Sequence, residues 1–245
     1  MLLEHLYVVL VALVYPVVGY FSFKRLMRRV AAGESVDRAQ LYQLTIAGHW
    51  LLFALLLVLW YVSGRSFETL GYAPMAGTGF IAGAALTVIG IVFLLLQLRH
   101  VMNASNDTLK RYASQFGDVG VIVPQNGNEL ARFYALSVTA GVVEEAVWRG
   151  FLIWYLALYM PLWAAALLSI IGFTLGHAYQ GTANLPKITL ISAALTGLYL
   201  LSGSLWLPML LHAAVDILQG RLGYEVLHRT SLDDDADAAN GAVPA

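Results

Sequence analysis

Six ionisable side chains lie inside the last four apolar segments of this chain. They are Glu144, Glu145, Arg149, His177, His212 and Asp216. In a membrane, a charged side chain near the bilayer centre costs at least about 2.5–3.5 kcal/mol, so such residues face a bundle interior and have partners there. A carboxylate can take a proton from water, and histidines can hold that water or donate to the oxyanion that forms at a peptide carbonyl. The set therefore indicates hydrolytic chemistry.

The spacing separates the two adjacent glutamates. Arg149 follows Glu145 by four residues, which puts both on one helical face and predicts an internal ion pair, a structural strut. Glu144 points about 100° away from Glu145 and has no partner on its own helix. Asp216 follows His212 by four residues and shares its face, where the pair could also be a clamp between helices. Glu144 is thus the carboxylate left for chemistry.

The elements that must position these residues follow from composition and apolar runs. The chain of 245 residues is 59% hydrophobic and 12% charged, and soluble domains use roughly 25% charged residues. About 20 apolar residues in a helix cross about 30 Å of hydrocarbon. Such runs occur at about 5–23, 41–63, 79–98, 133–155, 161–179, 186–203 and 205–222. We expect an all-α integral membrane protein, a polytopic bundle of about seven transmembrane helices with the polar site in the C-terminal four.

Basic residues predict the orientation of this bundle. Of the 14 lysines and arginines, twelve fall on the side that would hold the C-terminus, Arg65 falls on the other, and Arg149 lies within a segment. Because cytoplasmic loops are enriched in Lys and Arg, the N-terminus is expected outside and the C-terminus in the cytoplasm. A bacterial or archaeal cytoplasmic membrane is the expected location. No loop interleaves basic and aromatic residues, so the expected surroundings are the lipid bilayer and no nucleic acid.

The chain divides into three expected regions. Residues 1–123 hold the N-terminal transmembrane helices and a cytoplasmic loop, which contains one short interfacial helix at about 107–116. Residues 124–222 form the core that carries the polar site. Residues 223–245 are rich in Asp, Ala and Gly near their end and are expected to be a disordered acidic cytoplasmic tail.

Several other kinds of site are excluded by what the sequence lacks. The chain has no cysteine, which removes thiol nucleophiles, disulfides and thiolate metal sites. It has no HExxH string for a zinc protease of that type, and Asp216 is alone where an aspartyl protease needs two membrane aspartates. A rhomboid-like serine protease would need a nucleophilic serine in a Gly-x-Ser-Gly setting. The nearest candidates, Ser202 and Ser204, lie at a segment boundary and indicate a turn. His49 lies in mid-segment with no carboxylate on its own helix, so we expect it to be a structural histidine of the core or lipid interface.

The strings EEAVWRG, FTLGH and HAAVD resemble the signature motifs EExxxR, FxxxH and HxxxN/D of the CPBP family, also called Abi or CAAX-protease-related, which includes the Rce1-type CAAX prenyl endopeptidases. The resemblance extends over about 124–222. It implies that Glu144 activates water with help from His177, and that His212 and Asp216 stabilise the oxyanion. It also implies that Glu145 and Arg149 hold their helix in place. Because CAAX endopeptidases usually have Asn at the last motif position, Asp216 either orients His212 or donates only when protonated.

The resemblance implies an intramembrane endopeptidase that hydrolyses a peptide bond in a peptide or membrane-protein substrate. Zinc bound through Glu144, His177 and His212 is possible, and we favour a glutamate mechanism without a cofactor. The alternative is a non-proteolytic membrane protein, either a transporter with a proton-relay carboxylate or an immunity or interaction module. A transporter is expected to show two-fold hydropathy symmetry and broken helices in corresponding positions, and the sequence shows neither.

Overall fold

The protein is helical throughout the described part of the chain. The computed structural model describes the backbone of residues 1–241 and the side chains of residues 1–231, with 83% helix and no strands there. The helices, in chain order, are α1 (Leu2–Ala31), α2 (Arg38–Val62), α3 (Thr78–Met102), α4 (Asn106–Ser114), α5 (127–157), α6 (Leu162–Gly176), α7 (Leu185–Ser202) and α8 (Trp206–Gly241). Two of them contain a π-helical stretch, Leu10–Val14 in α1 and Ala146–Leu152 in α5.

Each of the seven predicted segments overlaps one of these helices, and these apolar helices are those of an integral membrane protein. Four stretches are long and apolar enough by themselves to cross a membrane, namely Leu2–Ala31, Arg38–Val62, Thr78–Met102 and Thr182–Ser202. Helix α6 is apolar but shorter. The count of seven membrane spans and the orientation of the termini stay predictions.

Helix α5 is the centre of the bundle and carries both adjacent glutamates. It packs against α2 on one side and α8 on the other, and its C-terminal half also contacts α6. All residues of its π-helical stretch are buried. Close packing against α8 depends on Gly141, since a Cβ at that position would lie 2.8 Å from the Met209 carbonyl oxygen and 2.9 Å from the Ala213 backbone nitrogen. This contact brings the glutamates of α5 next to the histidine of α8.

We expect Gly141→Ala to lower the free energy of unfolding by about 1–3 kcal/mol, because the added methyl group overpacks the contact between α5 and α8. Gly197→Ala on α7 is the matched control, since a Cβ there meets nothing within 4 Å. That control should be neutral or slightly stabilising, because alanine favours helices more than glycine does. Thermal unfolding in detergent measures both. Equal behaviour of the two variants would contradict close packing at Gly141.

The region after residue 222 differs from the expected disordered tail. Helix α8 continues without a break, and Leu222 and Val226 are buried in a cluster with Val101 and Leu109, the last of which lies on α4. The Arg229 guanidinium donates to the carbonyl oxygen of Met102 over 2.8 Å. Residues 223–231 are therefore packed helix, and the predicted disorder is wrong for them. The helix is assigned as far as Gly241, whereas the acidic side chains of the tail lie outside the described residues. The short helix that the sequence predicts at about 107–116 is confirmed as α4 (Asn106–Ser114).

Candidate active site

Glu144 lies in the wall of a cavity and is largely buried, with a side chain 17% exposed. Its two oxygens have different surroundings. Oε1 lies 3.0 Å from Nε2 of His49, which comes from α2. Oε2 is buried and has no hydrogen-bond partner among the described residues. A carboxylate with one oxygen held and one oxygen unpaired is placed to bind something at the second oxygen.

Two further histidines approach the unpaired oxygen of Glu144. His177 Nε2 lies 3.8 Å and His212 Nε2 lies 4.0 Å from Oε2, both too far for a direct hydrogen bond. His177 is fixed through Nδ1, which donates to the Phe173 carbonyl oxygen over 2.8 Å. His212 is fixed in the same way, with Nδ1 2.6 Å from Oε1 of Glu145. Both rings therefore direct Nε2 toward Glu144. The structure brings together three of the residues that the sequence singled out.

The predicted ion pair between Glu145 and Arg149 is confirmed. Arg149 Nη1 donates to Glu145 Oε1 over 2.8 Å, and both side chains are fully buried. The guanidinium also donates to Ser192 Oγ over 3.0 Å and to Thr196 Oγ1 over 3.3 Å, both on α7. Because buried charges need partners on every side, this pair joins α5 to α7 as well as bracing α5 itself. The Glu145 carboxylate also contacts His212 Nδ1, so the ion pair is joined directly to a residue of the site.

Phe173, the first residue of the FTLGH string, supports the histidines of two helices. Its ring stacks on that of His177 at a centroid distance of 4.4 Å and meets His212 edge-on at 6.0 Å. The Arg149 guanidinium lies 4.5 Å from the centre of the same ring. An aromatic side chain at this position therefore packs between the ion pair and both imidazoles.

Asp216 does not have the geometry expected of a residue that orients His212. Its Oδ2 lies 3.7 Å from His212 Nε2, beyond hydrogen-bond distance, and its side chain is 36% exposed. The carboxylate that orients the imidazole is Glu145, at 2.6 Å from Nδ1. Asp216 instead stands on the Nε2 side of the ring, where it adds negative charge beside that nitrogen. The expected orienting role belongs to Glu145.

His49 contacts Glu144, which the sequence did not predict. It lies buried and hydrogen-bonded in the core, as expected, and its Nε2 is also 3.0 Å from Glu144 Oε1. Its Nδ1 lies 2.9 Å from the Thr45 carbonyl oxygen and 3.0 Å from the Tyr15 hydroxyl oxygen. One feature of the sequence could have indicated a site role for His49. It is an ionisable residue in the middle of an apolar segment, as Glu144 is. No pattern in the sequence links the two helices.

A cavity of about 560 Å³ adjoins this polar wall. Glu144, His49 and His177 line it, and most of its other lining residues are apolar. Val18 and Leu44 line it from α1 and α2 and are 57% and 65% exposed, so part of its apolar lining lies at the surface of the bundle.

Tyr179 also lines this cavity, from the short turn Ala178–Gln180. Its ring stacks near that of His177 at a centroid distance of 6.1 Å. It therefore places a tyrosine ring beside the histidine in the cavity wall.

The described residues do not form an evident metal site. Zinc needs three or four ligand atoms about 2.0–2.3 Å from one point. Within residues 1–231, no group of three or more His, Cys, Asp or Glu side chains is arranged to hold a metal ion. The Nε2 atoms of His177 and His212 nevertheless lie 3.8 and 4.0 Å from Glu144 Oε2, so zinc held by these three residues stays the alternative to a glutamate mechanism.

Comparison with known proteins bears on the same residues. No curated protein and no solved structure gives a significant match to the chain. Residues 126–218 match the sequence model of the family described as type II CAAX prenyl endopeptidase, Rce1-like. That stretch begins at α5 and ends within α8, so it includes all three motifs and leaves out His49. The resemblance drawn from the motifs is thus confirmed over residues 126–218, which match the Rce1-like model of the CPBP family.

Proposed function

We propose that this protein is an intramembrane endopeptidase in which Glu144 activates water for attack on a peptide bond. One observation carries the proposal: Glu144 lines an apolar cavity, its buried Oε2 has no hydrogen-bond partner among the described residues, and the Nε2 atoms of two histidines lie 3.8 and 4.0 Å from that oxygen. A water on Oε2 could contact both imidazoles at such distances. The family match favours this function over a transporter or an immunity module, because the matching family is one of CAAX endopeptidases.

The proposed reaction needs only side chains that converge here. Glu144 takes one proton from water while the water oxygen bonds to the substrate carbonyl carbon. His177 Nε2, unprotonated in the neutral ring because Nδ1 donates to Phe173, accepts the second hydrogen bond of that water. When the C–N bond breaks, Glu144 returns its proton to the leaving amine. The pair of electrons of that bond stays on nitrogen, so charge and atoms balance.

His212 is the proposed donor to the oxyanion. In its imidazolium form it carries a proton on Nε2, and a positioned donor of this kind stabilises the negative charge that develops on the carbonyl oxygen. Glu145 at 2.6 Å from Nδ1 and Asp216 at 3.7 Å from Nε2 offset the positive charge of that form. Asp216 thus acts electrostatically in this proposal, and direct donation by Asp216 is not needed.

The cavity suggests how a substrate enters. Its apolar walls, which include exposed residues of α1 and α2, suit a substrate whose apolar portion lies in the bilayer, with a peptide bond reaching Glu144. Since the matching family is described as acting on CAAX prenyl proteins, a prenylated CAAX peptide is the first substrate to test.

The test uses the purified full-length protein in liposomes with an internally quenched peptide that ends in a prenylated CAAX sequence, together with its unprenylated twin. We expect cleavage of at least one peptide by the wild-type protein, at a bond located by mass spectrometry, and the prenylated peptide should be the better substrate. Absence of cleavage of both peptides, or equal cleavage by liposomes containing Glu144→Gln, would count against the proposal.

We expect cleavage to continue in the presence of a strong zinc chelator. The glutamate mechanism places no step on a metal ion, and the described side chains are not arranged as a metal site. The measurement compares rates before and after prolonged chelation and dialysis. Loss of activity that returns when zinc, but not calcium, is added back would show that the mechanism without a cofactor is wrong.

A further inference from the structure

We propose that His49 is a positioning residue for Glu144, which fixes one carboxylate oxygen so that the other faces His177 and His212. This inference rests on the proposed function. It also extends the site beyond the family-matched residues 126–218, because His49 belongs to α2. The N-terminal helices would then build part of the catalytic geometry and do more than form the cavity.

The first support is the freedom that Glu144 would have without this contact. The last torsion of a glutamate side chain is broad, so an unheld carboxylate turns easily and exchanges its two oxygens. The hydrogen bond of 3.0 Å between His49 Nε2 and Oε1 is directional and fixes the plane of the group. Once Oε1 is held, the direction of Oε2 toward the two histidines is set.

The second support is that the His49 ring is itself held on its far side. The Thr45 carbonyl oxygen, which can only accept, lies 2.9 Å from Nδ1, so Nδ1 carries a proton. The ionised Glu144 carboxylate also only accepts, so Nε2 carries a second proton and His49 donates to Oε1 as an imidazolium. The Tyr15 hydroxyl oxygen lies 3.0 Å from the same nitrogen, and the Tyr15 ring packs edge-on at 5.7 Å. The imidazole is therefore anchored by α1 and α2 and points Nε2 at Glu144.

The third support is that the three histidines around Glu144 share one arrangement. Each has Nδ1 against an oxygen atom, namely the carbonyl of Thr45, the carbonyl of Phe173 or the carboxylate of Glu145. Each directs Nε2 toward the same carboxylate. Thr45 and Tyr15 both contact Nδ1 of His49, so Glu144 is the partner of Nε2. His49 is also buried, at 6% exposure, so its contact is shielded from water.

The test compares His49→Leu with His49→Gln in the liposome assay with the prenylated CAAX peptide. We expect His49→Leu to lower kcat by about 10²-fold with KM little changed, because small misplacements of a reacting group can cost that much. His49→Gln should keep most of kcat, since its amide N–H can donate to Oε1. Tyr7→Phe is the control, because it removes another hydrogen bond between α1 and α2, from the Tyr7 hydroxyl to the Leu52 carbonyl oxygen, and the Tyr7 side chain is not among those that line the cavity.

The kinetic results decide the role as follows. If His49→Leu has the kcat of Tyr7→Phe, His49 does not position the carboxylate. If His49→Gln is as slow as His49→Leu, the hydrogen bond to Oε1 is not what His49 contributes. Either result overturns the proposal, whereas failure of the wild-type protein to cleave any peptide is a failure of the proposed function.

A second measurement needs no substrate. Thermal unfolding of His49→Leu, Glu144→Leu and the double variant forms a cycle that isolates the interaction of the two side chains. We expect the Tm shift of the double variant to be smaller than the sum of the single shifts, because the second change removes a group already left alone. Additive shifts would show that the two residues are not coupled and would overturn the proposal.

Discussion

Glu144→Gln is expected to lower the rate of peptide cleavage by about 10²–10⁴-fold, the usual contribution of a general base. Glutamine has nearly the same shape but cannot take the proton of the attacking water. Its side-chain oxygen can still accept from His49, so the fold and the affinity for peptide should change little. The measurement is kcat on the prenylated CAAX peptide together with the Tm of the variant.

Glu68→Gln is the matched control for this change, since Glu68 lies exposed in the loop between α2 and α3. It should cleave like the wild-type protein. Wild-type kcat in Glu144→Gln would remove Glu144 from the mechanism. A normal kcat with a low Tm would assign it a structural role instead.

Arg149→Met is expected to lower the free energy of unfolding by about 3–5 kcal/mol, the range observed when one partner of a buried ion pair is removed. The change leaves the fully buried Glu145 without its guanidinium and removes the hydrogen bonds to Ser192 and Thr196 on α7. Because Glu145 also holds His212, peptide cleavage should fall in the fraction that remains folded. Equilibrium unfolding in detergent measures the first effect.

The control for Arg149→Met is the double variant Glu145→Gln with Arg149→Met. It should be more stable than Arg149→Met alone, since no uncompensated charge then stays buried. If the double variant is the less stable of the two, the penalty does not come from an orphaned carboxylate, and the ion pair is not the strut that its geometry indicates.

The helices could be predicted from the sequence because each depends on a local property, the length of an apolar run. An apolar run of the right length is a helix in a membrane whatever its neighbours are, and the seven runs all coincide with helices. The end of α8 was not predictable in this way. Residues 223–231 stay helical where Val226 packs against α4, and the short apolar pair Val226 and Leu227 gives no local signal for such a contact.

In the candidate site, too, a contact within one helix could be predicted from the sequence, whereas contacts between helices could not. Glu145 and Arg149 lie four residues apart on one helix, so their ion pair follows from spacing alone. The bond from His212 to Glu145 joins residues 67 apart and that from His49 to Glu144 joins residues 95 apart. Motif resemblance identified His212 although spacing could not. It could not identify His49, which lies outside the matched segment and depends on how α2 packs on α5.

The central claim is that Glu144 delivers water directly to the peptide carbonyl. The most direct measurement is a single turnover of the prenylated CAAX peptide in water labelled with heavy oxygen, with mass spectrometry of the new carboxyl group. We predict that every new carboxyl group carries one heavy oxygen atom and that added hydroxylamine gives no hydroxamate. Unlabelled oxygen in the first turnover, or a hydroxamate product, would reveal a covalent acyl-enzyme intermediate and contradict direct attack by water.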